Sequence, residues 1–281
     1  MMHYIIIVAA LVVAWVSRCQ WTAHQGSWSQ RYSRALSFFL CPPLLILMTA
    51  IALLCMGTQG KMGGFHTGWL SYLLAVSCLI IAGIFWVQLA LQGWESLKSA
   101  RNCPALNLGG KPVRLLNTQA LFAAQIGFWR PELVISQGLL QSLDEAHLET
   151  VLAHEQGHSY YHDTFWFFWL GWIRKCTAWL PNTEPLWQEL LVLRELRADN
   201  WAASQVDPLL LAESLLLVVS TPVFSTEITC AALDCADSRD RLEERIDALL
   251  GTPQPMSPPS LPSWNWLLLT LLPLGTVLFH N

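Results

Sequence analysis

The residues best suited to chemistry are two histidines four positions apart, His154 and His158, with Glu155 directly after the first. On a helix, side chains at this spacing lie on one face with about 6 Å between them, so both imidazoles can bind one metal ion. A glutamate beside the first histidine can then take a proton from water at that metal. The spacing is typical of zinc-dependent peptidases, although a pattern this short also arises by chance.

The surrounding residues predict that this motif lies within a helix. Ser142 and Glu145 have the spacing of a capping box, in which each side chain binds a free backbone N–H at the helix start. Leu148, Val151 and Leu152 follow at helical spacing. We therefore expect one helix to begin near Ser142 and to carry both histidines.

A catalytic zinc ion held by two histidines needs a third protein ligand, with the fourth position left for water and substrate. His162 is two turns beyond His154 on the same helix, about 12 Å away, which is too far to share the ion. A better candidate is Glu195 in a second predicted helix, with Asp199 four residues later on the same face. Glu189, its competitor, points to another side of that helix. The alternative interpretation is a solvated helix face whose acids pair with neighbouring arginines.

Four segments in a fixed order carry a resemblance to a known family. They are FWRPELVISQGLLQSL at 128–143, the two histidines with Asp163 five residues after the second, RELRADNWA at 194–202, and ERIDAL at 244–249. Together they resemble the BlaR/MecR-type integral-membrane zinc metallopeptidases, which are relatives of the HtpX and CAAX-prenyl-protease types. The ordered motifs lie within residues 110–250.

The resemblance implies one catalytic zinc ion. Its protein ligands would be His154, His158 and Glu195. Glu155 would be the general base, and Asp199 and Asp163 would lie behind the ligands and orient them. Relatives of the HtpX type often have a histidine before ERI that stabilises the oxyanion, whereas CADSRDRLEERI at 235–246 has none. The candidates for that role in this chain are Tyr160, Tyr161 and Arg197.

The composition is that of a membrane protein with one modest polar domain. Hydrophobic residues make up 53% of the 281 residues and charged residues only 13%, and there are fifteen Trp. This is too apolar for an ordinary soluble domain. The formal net charge is -4 and no basic run occurs, so we expect no direct binding to nucleic acid. The eight cysteines include no CxxC pair and are expected to be small buried side chains.

Apolar runs predict three transmembrane helices in residues 1–92. The runs cover 4–16, 35–56 and 68–92, and the first is shorter than the about 20 residues that a straight span needs. Pro42 and Pro43 in the second run are expected to kink the helix or to restart it. Basic residues in the loop at 17–34 and just after residue 92 place both of these segments on the cytoplasmic side.

Residues 93–251 are expected to form a cytoplasmic α+β metallopeptidase domain of the zincin type. Two predicted strands, 113–116 and 132–136, precede the metal helix; such a strand can pair with an extended substrate or lie buried in a small sheet. The apolar segment 164–180 contains Arg174 and Lys175, so we expect it to lie along the membrane interface rather than to cross. A helix from Pro208 is expected to pack against this domain, followed by a Pro-rich linker at 252–262 and a last transmembrane helix at 263–281.

The sequence therefore predicts a mostly α membrane protein with about four transmembrane helices, in which the cytoplasmic domain is inserted between the third and fourth. Its expected location is the bacterial inner or plasma membrane. We expect a zinc endopeptidase that cleaves a cytoplasmic regulator such as a transcriptional repressor. The alternatives are an HtpX-like quality-control protease and a non-catalytic scaffold with a structural zinc site. The expected partners are a protein or peptide substrate and membrane lipid, a homo-oligomer is left open, and no penicillin-binding sensor domain is expected.

Overall fold

The computed structural model describes residues 2–23, 26–57, 61–62, 65–66, 69–220, 241–251 and 265–279. These residues are mostly helical, with a four-stranded sheet and a two-stranded hairpin. The chain divides into two compact units. One comprises residues 1–87, 171–191 and 257–281, and the other comprises residues 88–170 and 192–256.

Three apolar helices dominate the first unit. They are α1 (Met2–Cys19), α2 (Trp28–Met56) and the N-terminal part of α3 (Trp69–Asn102), and a hairpin of β1 (Lys61–Met62) and β2 (Phe65–His66) separates α2 from α3 along the chain. α2 and α3 are long and apolar enough to cross a membrane, with mean hydropathies of 2.4 and 2.3. Only 11% of the apolar part of α3 is buried, whereas the core helix of a soluble protein would be mostly buried.

The predicted span 35–56 falls within α2, and the predicted span 68–92 falls within α3 from residue 69 onward. The total number of spans stays a prediction. α2 continues without a break through Pro42 and Pro43, so the expected restart is wrong. A proline leaves the carbonyl of the fourth preceding residue without its helical donor. For Pro43 this carbonyl is that of Phe39, and it accepts a hydrogen bond of 3.1 Å from the buried guanidinium of Arg18. Arg18 replaces the missing donor, so the helix continues.

The second unit contains the four-stranded sheet, in the order β3-β4-β6-β5. Its strands are β3 (Ala105–Leu108), β4 (Lys111–Leu116), β5 (Ala123–Ile126) and β6 (Glu132–Ser136). β4 and β6 are parallel, and each outer strand is antiparallel to its neighbour. The two strands expected from the sequence are thus the interior ones. Both backbone edges of an interior strand are occupied, so β6 is a buried strand and cannot pair with a substrate.

Two helices follow β6, namely α4 (Gln137–Ser142) and the motif helix α5 (Glu145–Tyr160). The N-cap of α5 is Asp144, whose side chain accepts a hydrogen bond of 2.9 Å from the N–H of His147. The predicted cap at Ser142 is therefore wrong. Ser142 is the last residue of α4, and Leu143 follows in an extended conformation. The side chain of Ser142 is therefore not at the start of α5.

The apolar side of α5 packs on the sheet. Leu148, Val151 and Leu152 lie against a buried cluster that includes Ile135 of β6 and Leu139 of α4. Ile135 and Leu139 are fully buried. Because residues at i, i+3 and i+4 share a helix face, this packing directs one side of α5 to the sheet and leaves another side for the motif residues.

Two further helices follow the motif, α6 (Asp163–Cys176) and α7 (Thr183–Ala203). α6 has 14 residues. At 1.5 Å per residue this corresponds to about 21 Å, short of the about 30 Å hydrocarbon core of a bilayer. The helix is therefore too short to span by itself, and the placement of residues 164–180 along the membrane interface stays a prediction.

α8 (Pro208–Ser220) packs against α5, where the hydroxyl of Thr150 donates a hydrogen bond of 2.6 Å to the hydroxyl of Ser214. The last helix that the structure describes in this unit is α9 (Leu242–Leu250). Its Leu249 packs on a buried cluster with one residue from each of three other helices: Ala153, Ala202 and Leu211. This cluster joins α9 to the helices that carry the motif residues.

The last predicted span is divided into three pieces within the part of it that the structure describes. They are α10 (Asn265–Thr270), α11 (Leu272–Gly275) and a 3-10 helix (Thr276–Phe279). Pro273 gives the physical reason, because it has no N–H with which to continue the hydrogen-bond ladder of α10. A single uninterrupted helix over 263–281 is therefore not observed, and the predicted linker at 252–262 lies outside the described residues.

Candidate metal centre

Two histidines of α5 and one glutamate of α7 converge on a single point. Nε2 of His154 lies 3.1 Å from Nε2 of His158. The carboxylate of Glu195 lies 3.3 Å from the first of these nitrogens and 3.6 Å from the second. One ligand atom from each residue falls within 4.8 Å of the others, and among the described residues this is the one such group of His, Cys, Asp or Glu.

The geometry and chemistry of this group fit zinc. Two nitrogens bound to a tetrahedral zinc ion lie about 3.4 Å apart, close to the 3.1 Å between the two Nε2 atoms. Lone pairs that face one another at such a distance repel unless a cation or a proton lies between them. Two imidazoles and a carboxylate are also a donor set that catalytic zinc sites use. The three side chains can therefore hold one zinc ion.

A buried carboxylate lies behind each histidine. Nδ1 of His158 forms a hydrogen bond of 2.8 Å with Oδ2 of Asp163, and Nδ1 of His154 makes an ion-pair contact of 2.8 Å with Oδ1 of Asp199. Both aspartates are almost fully buried. An Nδ1–H that faces a carboxylate leaves Nε2 with the free lone pair, so both rings are held in the tautomer that binds a metal.

Arg245 of α9 is a site residue that the motif reasoning missed. Its guanidinium donates to both oxygens of Asp199, at 2.6 and 2.8 Å, and its Nη1 lies 3.4 Å from Oε2 of Glu195. Arg245 therefore contacts both the carboxylate behind His154 and the carboxylate ligand. The sequence did mark this residue, because Arg245 is the arginine of the ERIDAL segment that contributes to the family resemblance. That segment by itself does not show that Arg245 lies beside the metal ligands.

Two arginines of α7 complete the surroundings of the ligands. Arg194 donates two hydrogen bonds to Oε1 of Glu195, at 2.7 and 2.9 Å. Arg197 donates to Asp163, and its guanidinium lies 4.2 Å from the centre of the Tyr161 ring. The acids of this helix do pair with arginines, as the alternative interpretation of the sequence has it. The face is nevertheless buried rather than solvated, because the side chain of Glu195 is only 20% exposed.

The charges around the ligands shift their pKa values in opposite directions. Burial raises the pKa of Glu195, but the positive charges of Arg194 and His158 outweigh burial and hold it well below its ordinary value. Burial lowers the pKa of His158, but the charge of Glu195 and the hydrogen bond that the His158 ring donates to Asp163 reverse this and raise the pKa to about 10. The negative charge that Glu195 keeps favours the binding of a cation at this point.

Glu155 lies beside the ligands and is 7% exposed. Gln125 of β5 donates a hydrogen bond of 3.3 Å to the backbone oxygen of Glu155, which ties the edge of the sheet to this part of α5. At Gly157 the helix α5 meets α7 closely, since a β-carbon there would lie 3.1 Å from Cα of Ala198. Glycine at this position allows the approach that brings Glu195 to the histidines.

The other candidates from the sequence lie elsewhere. Glu189 pairs with Arg31 at 2.8 Å within the first unit. His162 is exposed in the turn after α5, with a φ of 54°. Tyr160 is 65% exposed and its ring stacks on that of Trp201. Within the described residues, none of these side chains belongs to the metal-binding group.

Comparison with known proteins agrees with this geometry. Residues 100–170 match the model of peptidase family M48. The matched segment holds the four-stranded sheet, both histidines and Glu155, and it ends before α7, which supplies Glu195. No curated protein and no solved structure matches the chain. The match supports the resemblance to the BlaR/MecR and HtpX types at the level of the family, over residues 100–170 of this chain.

Proposed function

We propose that the protein is a zinc-dependent endopeptidase. The observation that supports this most directly is the convergence of His154 and His158 with Glu195, next to the buried side chain of Glu155. A structural zinc site normally has four protein ligands and needs no acid beside them. Three ligands with an adjacent glutamate leave one position for water and substrate, which favours a catalyst over a scaffold.

The chemistry needs a nucleophile and two proton transfers. A bound zinc ion would polarise the scissile carbonyl and lower the pKa of water to about 7. Glu155 would accept a proton from the attacking water and then deliver it to the leaving amine. Asp199 and Asp163 would keep the two imidazoles oriented through their contacts with Nδ1.

β5 is the strand best placed to align a peptide, because it is the edge of the sheet next to α5. In an antiparallel pair, alternate residues direct their peptide groups at the neighbouring strand. The hydrogen bond from the N–H of Ser136 to the carbonyl of Phe122 sets this alternation. The peptide groups of Ala123 and Gln125 therefore point away from β6. An extended substrate can add to this edge as a further strand, with its backbone near Glu155.

Glu155→Gln separates catalysis from structure, because it keeps the size and polarity of the side chain and removes the base. The full-length variant should retain zinc and fold normally. Its cleavage of peptides should fall by about 10²- to 10⁴-fold, the usual contribution of a positioned acid-base group. Zinc content, thermal unfolding and peptide cleavage are the measurements. Glu149→Gln, at an exposed position of the same helix, is the matched control and should keep full activity.

A Glu155→Gln protein that keeps its zinc and cleaves at the wild-type rate would contradict the catalytic proposal. It would favour the scaffold with a structural zinc site. The same variant identifies the substrate in cells, where new protein N-termini that need Glu155 mark the cleavage sites. One cleaved cytoplasmic regulator would support the signalling role that the BlaR/MecR resemblance suggests, whereas many damaged membrane proteins would support quality control.

A further inference from the structure

Six aromatic side chains form a continuous cluster at the β5–β6 turn and the start of α6. We call it the aromatic patch, and its members are Phe128, Trp129, Phe165, Trp166, Phe168 and Trp169. Phe128 is at its centre, with ring centroids 4.9 Å from both Phe165 and Phe168 and 5.0 Å from Trp129. Trp129 also lies 5.0 Å from Phe165, so the turn and the helix present one joined surface.

The outer part of the aromatic patch is strongly exposed. Trp129 is 76% exposed and Trp166 is 56% exposed. Contiguous exposed apolar surface is rare on soluble proteins and marks a site of interaction with protein or membrane. Tryptophan is the residue that collects at the membrane–water interface, where its ring is apolar and its N–H meets polar groups. Arg130, the next residue along the turn, is also exposed and suits the phosphate of a lipid headgroup.

The aromatic patch contacts α3 shortly after the point where this helix ceases to be apolar. The β-carbon position of Gly127 lies 3.5 Å from Cδ1 of Leu97 of α3. Leu91 is the last exposed aliphatic residue of the apolar stretch, and the exposed residues Gln92 and Glu95 follow it. Leu97 is six residues beyond Leu91, or about 9 Å along the helix. The interfacial layer of a bilayer is about 5–8 Å thick on each side, so if α3 crosses the membrane, the turn lies at the outer limit of the headgroup layer.

We propose that the aromatic patch inserts into the interfacial layer of the bilayer and holds the metal centre at the membrane surface. α6 begins with Asp163, which bonds to His158, and Phe165 follows only two residues later. The lipid-bound part of α6 is thus directly joined to the metal site. The consequence for substrates rests on the proposed peptidase function. The substrates are polypeptides whose scissile bond lies close to the bilayer surface, such as the segment next to a transmembrane helix.

Photo-crosslinking of the full chain in lipid nanodiscs tests the insertion itself. p-Benzoylphenylalanine replaces Trp129 or Trp166, and the nanodiscs contain phosphatidylcholine and fluorescent phosphatidylglycerol. Both positions should form lipid adducts, as should Ile81, which is 51% exposed on the apolar part of α3. Glu149, exposed on α5, should form none. Lipid adducts at Ile81 but not at Trp129 and Trp166 would overturn the proposal. Adducts to protein at positions 129 and 166 would also overturn it, because they would indicate a docking surface for a polypeptide. Absence of adducts at Ile81 would overturn it as well, because α3 would then not be in lipid.

The consequence for substrates is tested separately with one peptide in two forms, free in solution and tethered to lipid. Trp129→Ser combined with Trp166→Ser should leave cleavage of the free peptide unchanged and slow cleavage of the tethered peptide several-fold. Equal rates for both forms in both proteins would contradict the substrate class. Failure of the peptidase function gives a different result, since neither peptide would then be cleaved while the lipid adducts would still form.

Discussion

At the scale of single residues, the metal centre is a set of paired charges. Each ligand is connected to an arginine. His154 contacts Asp199, which binds Arg245, and His158 contacts Asp163, which binds Arg197. Glu195 binds Arg194 directly. A buried carboxylate is costly unless an opposite charge and hydrogen bonds compensate it. The arginines therefore allow three carboxylates to lie in a small buried volume and to orient the ligands.

Arg245→Lys tests this interpretation at one residue. Lysine keeps the charge but cannot reproduce the two parallel hydrogen bonds to Asp199. We expect Asp199 to hold His154 less firmly, and zinc affinity to fall by about tenfold or more, as for other partners of metal ligands. Competition with a chromogenic chelator measures the affinity. Arg241→Lys, four residues earlier, is the matched control and should leave it unchanged.

The truncation Arg245→Leu should lower the free energy of unfolding more than Arg245→Lys does, because removing one partner of a buried ion pair costs about 3–5 kcal/mol. Thermal unfolding distinguishes the two effects. Wild-type zinc affinity in a folded Arg245→Lys protein would show that Arg245 does not position the ligands.

At the scale of elements, the site depends on how closely α5 approaches α7. Gly157 lies between His154 and His158 on the facing side, and Ala198 lies between Glu195 and Asp199 on the other helix. A β-carbon at Gly157 would meet Cα and the backbone oxygen of Ala198, both at 3.1 Å. Backbone atoms cannot move aside as a flexible side chain can, so the two helices would have to separate.

Gly157→Ala is expected to weaken zinc binding with little loss of stability. Alanine improves helix propensity by about 1 kcal/mol relative to glycine, and this gain opposes the cost of the close contact. The separation of α5 from α7 should nevertheless move Glu195 away from the histidines. The measurements are chelator competition and thermal unfolding, with Gln156→Ala as the neighbouring control. Unchanged zinc affinity would mean that the helices can shift without disturbing the ligands.

At the scale of the whole molecule, the exposed apolar surface of α3 indicates whether water or lipid surrounds this helix. Its apolar part has a mean hydropathy of 2.3 and is only 11% buried. Apolar surface left in water costs about 25 cal/mol per Å², so a helix with this much exposed apolar surface favours a lipid environment. α2 is shorter, with 29 residues against 34, but its apolar part has a similar mean hydropathy of 2.4 and is 39% buried.

Reporter fusions test the topology that the basic residues predict. Fusions after Ala100 and after Pro253 should report a cytoplasmic location, and a tag after Asn281 should report an external one, because positive residues stay on the cytoplasmic side. Alkaline phosphatase and green fluorescent protein are suitable reporters. A cytoplasmic tag at Asn281 would show that a span is miscounted. The last segment is then the first to examine, because Pro273 interrupts its helix.

Much of the local structure was predictable, because it depends on short-range patterns. Helical spacing placed His154 and His158 on one face, and alternating or continuous apolar runs indicated β4, β6, α2 and α3. One error arose where a distant residue changed the local rule. α2 continues through Pro43 because Arg18, which belongs to another helix, supplies a hydrogen bond to Phe39.

The sequence by itself determined the donor types, their spacing on α5 and the resemblance to a family, because these depend on residue identity and on the fixed period of a helix. Only the tertiary structure decided which residues reach that helix. It adds Arg245 from a helix far along the chain, and it makes β5 rather than β6 an edge strand of the described sheet. Contacts between residues distant in sequence depend on how helices and strands pack, and no periodic pattern in a single sequence encodes that packing.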